Sequence, residues 1–263
     1  MLLDRFRIAD KVAIVTGAGR GIGAGAALAL AELGAHVVCA ARTRKHIEET
    51  ATKARSFGRR ALAVVCDVNV KTDIDTVVQR TLDEFGRIDI LVNNAGGWPP
   101  QAALETSDET FEGAFHFNVT TAFQLTRLAV PHMLKRDGGA IVNISSAAGR
   151  YVVPGFVAYG TAKAALAFMT RVLASEFAPR VRVNAIAVGA VETSALATFL
   201  DDDLRGKMSA LTPMRRIGTV EDIALAVAYL ATPASSWVTG KIFEIDGGSE
   251  MSNWPFPAPE VGP

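Results

Sequence analysis

Short apolar, β-branched runs alternate with alanine- and leucine-rich helical stretches along almost the whole chain. The first run, Val12-Ala13-Ile14-Val15, is apolar at every position and ends at Thr16-Gly17. Uninterrupted runs of this kind are what strands buried on both faces of a parallel sheet require. A helix follows over 24–33 and stops at Gly34. The alternation then repeats, with strands predicted at 36–41, 61–66, 88–92, 139–146, 182–187 and 241–245. One helix is predicted from Thr72, with Asp75 as its capping-box partner. Another runs from about 107 to 134, with Thr106 and Glu109 as the start signal. Further helices are expected over 156–177 and from Thr219 through Leu230. Residues 194–213 give a mixed signal, read as a loop or short helices. The end of the chain, Trp254-Pro255-Phe256-Pro257-Ala258-Pro259, is too rich in proline for helix or sheet. The pattern predicts one α/β domain over residues 1–251, with residues 252–263 as a proline-rich tail. Its core would be a doubly wound parallel sheet of about seven strands flanked by helices.

Composition adjusts this picture only slightly. Hydrophobic residues make up 49% of the chain, which buried parallel strands or surface shared between subunits would account for. The 27 basic and 27 acidic residues cancel and no basic run occurs, so no nucleic-acid partner is expected. The opening Met1-Leu2-Leu3-Asp4-Arg5-Phe6-Arg7 lacks a signal-peptide core. No segment reaches about eighteen uninterrupted apolar residues, so a cytoplasmic protein with no membrane partner is expected. Cys39 and Cys66 lie in apolar strand-like runs without CxxC spacing and read as reduced core residues. The histidines 36, 46, 116 and 132 have no HExxH-type pairing with carboxylates, so no metal site is expected.

The chemistry gathers at the strand ends. Between the first strand and its helix stands Gly17-Ala18-Gly19-Arg20-Gly21-Ile22-Gly23, a GxxxGxG turn. Strand, glycine turn and helix together present free backbone N–H groups and a positive dipole end to a phosphate. At the end of the second strand, where a fold that takes NAD places a carboxylate for the ribose 2′-hydroxyl, stand Ala41 and Arg42. Two arginines, Arg20 and Arg42, and no carboxylate suit a 2′-phosphate, favouring NADP(H) over NAD(H). Arg42 could also simply open a solvated helix. Asp67-Val68 and Asn93-Asn94-Ala95-Gly96-Gly97 fall at later strand ends, where open α/β sheets bind ligands. Asn118 sits mid-helix between Phe117 and Val119, a poor place for asparagine unless it is exposed or holds something. Tyr159 and Lys163 share a helix face, thirteen and seventeen residues after Ser146. A lysine ammonium beside a tyrosine hydroxyl favours the phenolate, the shift that acid–base work near neutral pH requires. Alone, the spacing fits a surface pair equally well.

Taken together, Thr16 through Gly23, Asp67-Val68, Asn93 through Gly96, Asn118, Ser146, Tyr159-x-x-x-Lys163 and Gly189 through Thr193 resemble the classical short-chain dehydrogenase/reductase family in order and spacing. The resemblance spans nearly the whole chain and implies a seven-stranded Rossmann fold. By it, Tyr159 is the catalytic acid/base, Lys163 lowers its pKa and meets the nicotinamide ribose, Ser146 polarises the carbonyl, and Asn118 holds a relay water. Ser146 is chosen over Ser145 by the family spacing to the tyrosine. Gly17, Arg20, Gly21, Ile22 and Gly23 would wrap the pyrophosphate, and Asp67 and Val68 would border the adenine. Asn94, Ala95 and Gly96 would line the ribose, with Gly189, Val191 and Thr193 beside the nicotinamide. Val188 stands where the family has proline, which puts the rigidity of that loop in question. Trp98, Val153, Phe156 and Leu196, with Met214 and Trp254, would border an apolar substrate pocket. The resemblance implies NAD(P)(H)-dependent interconversion of a secondary alcohol and a ketone, on a bulky, hydroxysteroid-like substrate. A 3-ketoacyl-thioester reductase and a nucleotide-binding regulatory scaffold are the alternatives. A homotetramer is also implied, with the helices around Asn118 and Tyr159 between subunits.

Overall fold

Every residue of strand β1 (Val12–Thr16) is buried, and the two faces of the strand feed two separate cores. In a computed structural model, which describes residues 1–193, 196 and 200–255, Ala13 and Val15 pack with Leu30, Ile47 and Ile223 on one face. Ile14 points the other way, among Leu91, Leu125 and Met133. Each fully buried side chain of this size contributes about 1.5–3 kcal/mol relative to exposure. This two-sided burial explains the unbroken apolar runs of the sequence.

The sheet has seven parallel strands in the order β3-β2-β1-β4-β5-β6-β7. After β1 these are β2 (His36–Ala41), β3 (Ala61–Val65), β4 (Ile90–Asn93), β5 (Gly139–Ser146), β6 (Val181–Val188) and β7 (Ile242–Ile245). On the first face lie α1 (Gly21–Glu32), α2 (Arg44–Ser56) and α8 (Val220–Ala231). The second carries α3 (Lys71–Phe85), α5 (Thr121–Leu134) and α6 (Val157–Phe177). α4 (Asp108–Phe115) precedes α5, and α7 (Asp202–Leu211) stands between β6 and α8. Strand order reverses between β1 and β4, so the crevice above that pair is where a ligand of such a sheet belongs. Cys39 and Cys66 are buried and unpaired, and burial pushes each thiol up to about 12.

Three local readings are corrected. The Thr72/Asp75 capping box does not form: α3 begins at Lys71 with Val70 as its uncapped N-cap. The carboxylate that works there is Asp73, which accepts the Asp67 N–H at 2.9 Å and so fixes the turn after β3. The cap of α4 is Ser107, which accepts from the Thr110 N–H, because Thr106 turns back to donate to the Ala102 carbonyl. The long helix over 107–134 contains a π-turn at His116–Thr120 that separates α4 from α5. Of the proline-rich tail, residues 256–263 lie outside the described residues, as do 194, 195 and 197–199 of the mixed-signal segment.

Candidate active site

Two strand ends are tied together by one hydroxyl. Thr16, last in β1, accepts the N–H groups of Asn94 and Ala95 through its Oγ1, both at 3.0 Å. Asn94 returns the contact by donating its side-chain amide to the Thr16 carbonyl at 2.8 Å. At two positions the glycine turn has no room for a side chain. A Cβ on Gly17 would stand 2.6 Å from Asn94 Nδ2, and one on Gly23 would overlap the Gly17 carbonyl. Gly17 and Gly21 also have φ of +65° and +54°, conformations that favour glycine. No side chain caps α1, so the N–H groups of its first turn stay open to an anion.

Above this floor lies a cleft of about 530 Å³, and seventeen of the residues singled out in the sequence line it. They run from Gly17, Arg20, Gly21, Ile22 and Gly23, past Arg42, Asp67 and Val68, to Asn94, Ala95 and Gly96. Ser146, Tyr159 and Lys163 form one stretch of its wall, and Gly189, Val191 and Thr193 line it past the end of β6. Arg20 and Arg42 are exposed at the rim, and neither has a carboxylate partner among the described residues. The dimensions, the close-packed glycines and the open helix end fit a dinucleotide.

The β5–α6 turn sets the chemical groups. Ser146 ends β5, where its hydroxyl accepts from the Ala148 N–H at 3.2 Å. Gly149 and Gly160 allow this turn to lie directly on α6: a Cβ on either would come within 2.8 Å of backbone atoms of the facing segment. Lys163 is 3% exposed and donates to the Ile144 carbonyl at 2.8 Å, while Ser145 donates to the Lys163 carbonyl at 3.0 Å. Lys163 Nζ lies 5.7 Å from the centre of the Tyr159 ring. Burial pulls Lys163 down to about 7. Burial also raises Tyr159, and the neighbouring Ser146 hydroxyl offsets only part of that rise. The phenol is thus not held low by a permanent ammonium, contrary to the expectation from spacing: both groups are desolvated, and desolvation favours the neutral form of each.

Asn118 stands behind this wall, not in it. Its Oδ1 accepts the Gly97 N–H at 2.9 Å, and its amide donates to the Gly97 and Ala114 carbonyls at 3.1 and 2.9 Å. Gly96 separates it from the lysine: a Cβ there would meet Asn118 Oδ1 at 2.7 Å and Lys163 Nζ at 3.0 Å.

With that geometry in place, comparison with known proteins is informative. Residues 17–250 match a family model described as enoyl-(acyl carrier protein) reductase. An uncharacterised oxidoreductase of Mycobacterium tuberculosis is 48% identical over 263 residues, covering 99% of this chain and 100% of its own. The chain belongs to the short-chain dehydrogenase/reductases. This dehydrogenase/reductase is similar to a solved 7α-hydroxysteroid dehydrogenase with a TM-score of 0.90, at 35% identity over 94% of this chain and 97% of the other. That structure is a complex with NADH and 7-oxo glycochenodeoxycholic acid. It is also 34% identical to the 3-oxoacyl-[acyl-carrier-protein] reductase of Thermotoga maritima, over 92% of this chain and 98% of that one. The dehydrogenase/reductase is therefore an oxidoreductase, and the regulatory-scaffold alternative falls away.

None of the apolar residues expected around the substrate is among those lining this cleft in the dehydrogenase/reductase. Phe156 meets the Tyr159 ring edge-on at 5.9 Å, and Leu196 and Trp254 pack against the cluster of Leu200, Leu204, Met208 and Ile217. The ring of Trp98 lies against Gly113, where a Cβ would come within 3.0 Å of it, and Val153 closes the turn before Phe156 through its carbonyl. Met214 lies elsewhere, lining a separate cavity of about 370 Å³ beside β7. Val188 is paired on both sides, with Ser146 of β5 and Ile245 of β7, so the sheet itself holds the place of the family's proline. Sequence reasoning missed Thr43, His46, Phe117 and Ile144, which also line the cleft. For Ile144 and Phe117 a signal existed, since each adjoins or nearly adjoins a residue that was singled out.

Proposed function

We propose that this enzyme reduces a bulky, apolar ketone to a secondary alcohol, or runs the reverse, with NADP(H) as its dinucleotide. The observation that carries the reading is the convergence of the Ser146 and Tyr159 hydroxyls on one wall of the cleft. Two hydroxyls meeting at one point suit a carbonyl oxygen, which one can hold while the other supplies the proton. A bound nicotinamide dinucleotide supplies the hydride. Tyr159, raised by burial, carries its proton across the neutral range and gives it to that oxygen. Lys163, when charged, stabilises the phenolate left behind, and with the adjacent Gly96 it lines the stretch of cleft where a ribose would lie. Asn118 keeps the 96–97 backbone in place, with a relay water as its further role.

The arginines at the rim favour NADP(H), since Arg20 and Arg42 are free to take a 2′-phosphate. The hydroxysteroid dehydrogenase complex supports an apolar ring system as substrate, as do Phe156, which meets the Tyr159 ring, and Trp254, which meets Phe156. The acyl-carrier-protein reading is weaker. The best basic pair for a carrier protein, Arg215-Arg216, is half spent: Arg216 is held by Asp222 through two bonds of 2.6 and 2.8 Å. A panel of ketosteroid, 3-ketoacyl thioester, quinone and small aromatic ketone, each with NADPH and NADH, tests all of this. The ketosteroid with NADPH should be the best pair, and Arg42→Ala should raise the KM for NADPH about tenfold, the worth of one charge-assisted hydrogen bond. Equal use of NADH, or best turnover of the thioester, would overturn the corresponding part.

A homotetramer in the cytoplasm completes the proposal. Phe111, Phe115 and Phe123 on α4 and α5, and Val157, Phe168 and Val172 on α6, are exposed on the helices that carry Asn118 and Tyr159. Among the described residues, no helix is long and apolar enough to cross a membrane. Light scattering should give four chains per particle, and Phe168→Asp should lower that number; a monomeric wild type contradicts the proposal.

A further inference from the structure

The segment that follows β7 is fastened to both sides of the cleft. On one side Arg150, in the turn between β5 and α6, donates to Asp246 at 3.0 Å, to Glu250 at 2.9 Å and to the Ser249 carbonyl. On the other side Asn253, itself buried, donates to Thr212 Oγ1 at 2.9 Å, just past the end of α7. Between these two fastenings the segment delivers Trp254. Its ring stands perpendicular to Phe156, at 88° and 6.3 Å between centres, and Phe156 in turn meets Tyr159 edge-on. Trp254 also packs with Leu196 and Ala190 against the cluster of Leu200, Leu204, Met208 and Ile217.

We infer that Trp254 is a specificity-determining residue, forming the end wall of the substrate site and selecting ketones with an extended apolar face. The inference rests on the carbonyl reading above and adds to it where the substrate's far end lies. Ser146 and Tyr159 line the cleft where β5 ends, and Gly189, Val191 and Thr193 line it where β6 ends. Trp254 meets Phe156, the neighbour of Tyr159, and packs against the Leu200, Leu204, Met208 and Ile217 cluster that Ala190 and Leu196 also join. A substrate whose carbonyl oxygen reaches Tyr159 must extend away from the dinucleotide end of the cleft, toward the Phe156–Trp254 pair. Two aromatic rings set at a right angle offer a flat face and an edge, a surface that fits fused rings or a long alkyl body and gives a small ketone little to bind. The fastenings matter too, because a wall held by Arg150 and Asn253 is positioned before the substrate arrives.

The test compares a fused-ring ketone with a small ketone, using the full chain and saturating NADPH. In Trp254→Ala the ratio of kcat/KM for the large ketone to that for the small one should fall at least tenfold, mostly through KM, and Trp254→Phe should recover most of it. An unchanged ratio, or an equal fall for both ketones, overturns the inference while leaving the carbonyl reading intact. Failure of the wild type to turn over any ketone would instead count against that reading. A second measurement does not depend on turnover. The chain has three tryptophans, so Trp98→Phe with Trp237→Phe leaves Trp254 as the sole reporter. In the presence of NADP⁺, the fused-ring ketone should quench or shift its emission with a saturating dependence, and a flat titration overturns the inference.

Discussion

Replacing Tyr159 by phenylalanine should leave a folded enzyme that binds dinucleotide normally and turns over ketones ~10²–10⁴-fold more slowly, the usual worth of one positioned acid/base. The substitution removes a single oxygen and keeps the ring. The edge-on contact with Phe156 and the place of residue 159 in the first turn of α6 both survive. What disappears is the proton donor facing Ser146, and no other described hydroxyl in the cleft takes its position. The loss should fall on kcat, because the dinucleotide floor at Gly17–Gly23 is built by β1 and β4 and does not depend on the phenol. Dinucleotide binding followed by fluorescence, beside initial rates, separates the two effects. Wild-type rates in this variant would remove Tyr159 from the mechanism.

Ketone reduction should weaken as pH rises above about 7, by up to ~10-fold per unit, when measured as kcat/KM for NADPH. That parameter reports the free enzyme, in which burial holds Lys163 at about 7. Below that pH the lysine is charged and stabilises the phenolate that remains once Tyr159 has given up its proton. Above it the charge is gone and the phenolate must form unaided in a desolvated site, so the sign is a loss of rate toward alkaline pH. Lys163→Met should already stand near the alkaline floor of the wild type at pH 6 and should lack the limb. A limb that persists unchanged in the methionine variant would assign the titration to another group.

The fold was legible in the sequence because parallel strands buried on both faces leave an unmistakable alternation of apolar runs and helices. The stretch of cleft holding Ser146, Tyr159 and Lys163 was legible through the family's motif order. Tyr159 and Lys163 lie four apart on one helix and Ser146 ends the strand that leads into it, a spacing that by itself fits a surface pair as well. What could not be read depends on contacts made elsewhere. Thr106 looked like a helix cap, but its hydroxyl closes the preceding turn, and Ser107 caps instead. The depressed lysine could not be inferred from spacing, since it results from burial under β5 and the 96–97 loop. The clasp from Arg150 to residues 246–250 spans about a hundred positions, and no local pattern announces it. Thr43 and His46 line the cleft because α2 starts beside the glycine turn, with His46 close against Gly19.

The π-turn between α4 and α5 has a consequence on the outside of the molecule as well. An α-helix advances about 100° per residue, so positions four apart drift about 40° and positions eight apart about 80°. Phe111 and Phe115 are four apart, and Phe123 follows Phe115 by eight, which in an unbroken α-helix would rotate it well away from them. One extra residue taken up in the widened turn makes that interval count as roughly seven, or about −20°, and returns Phe123 to the azimuth of Phe115. All three rings are in fact exposed. The same local change of phase that aims the Asn118 amide inward, at Gly97 and Ala114, therefore sets three phenylalanines in one line along the outer face.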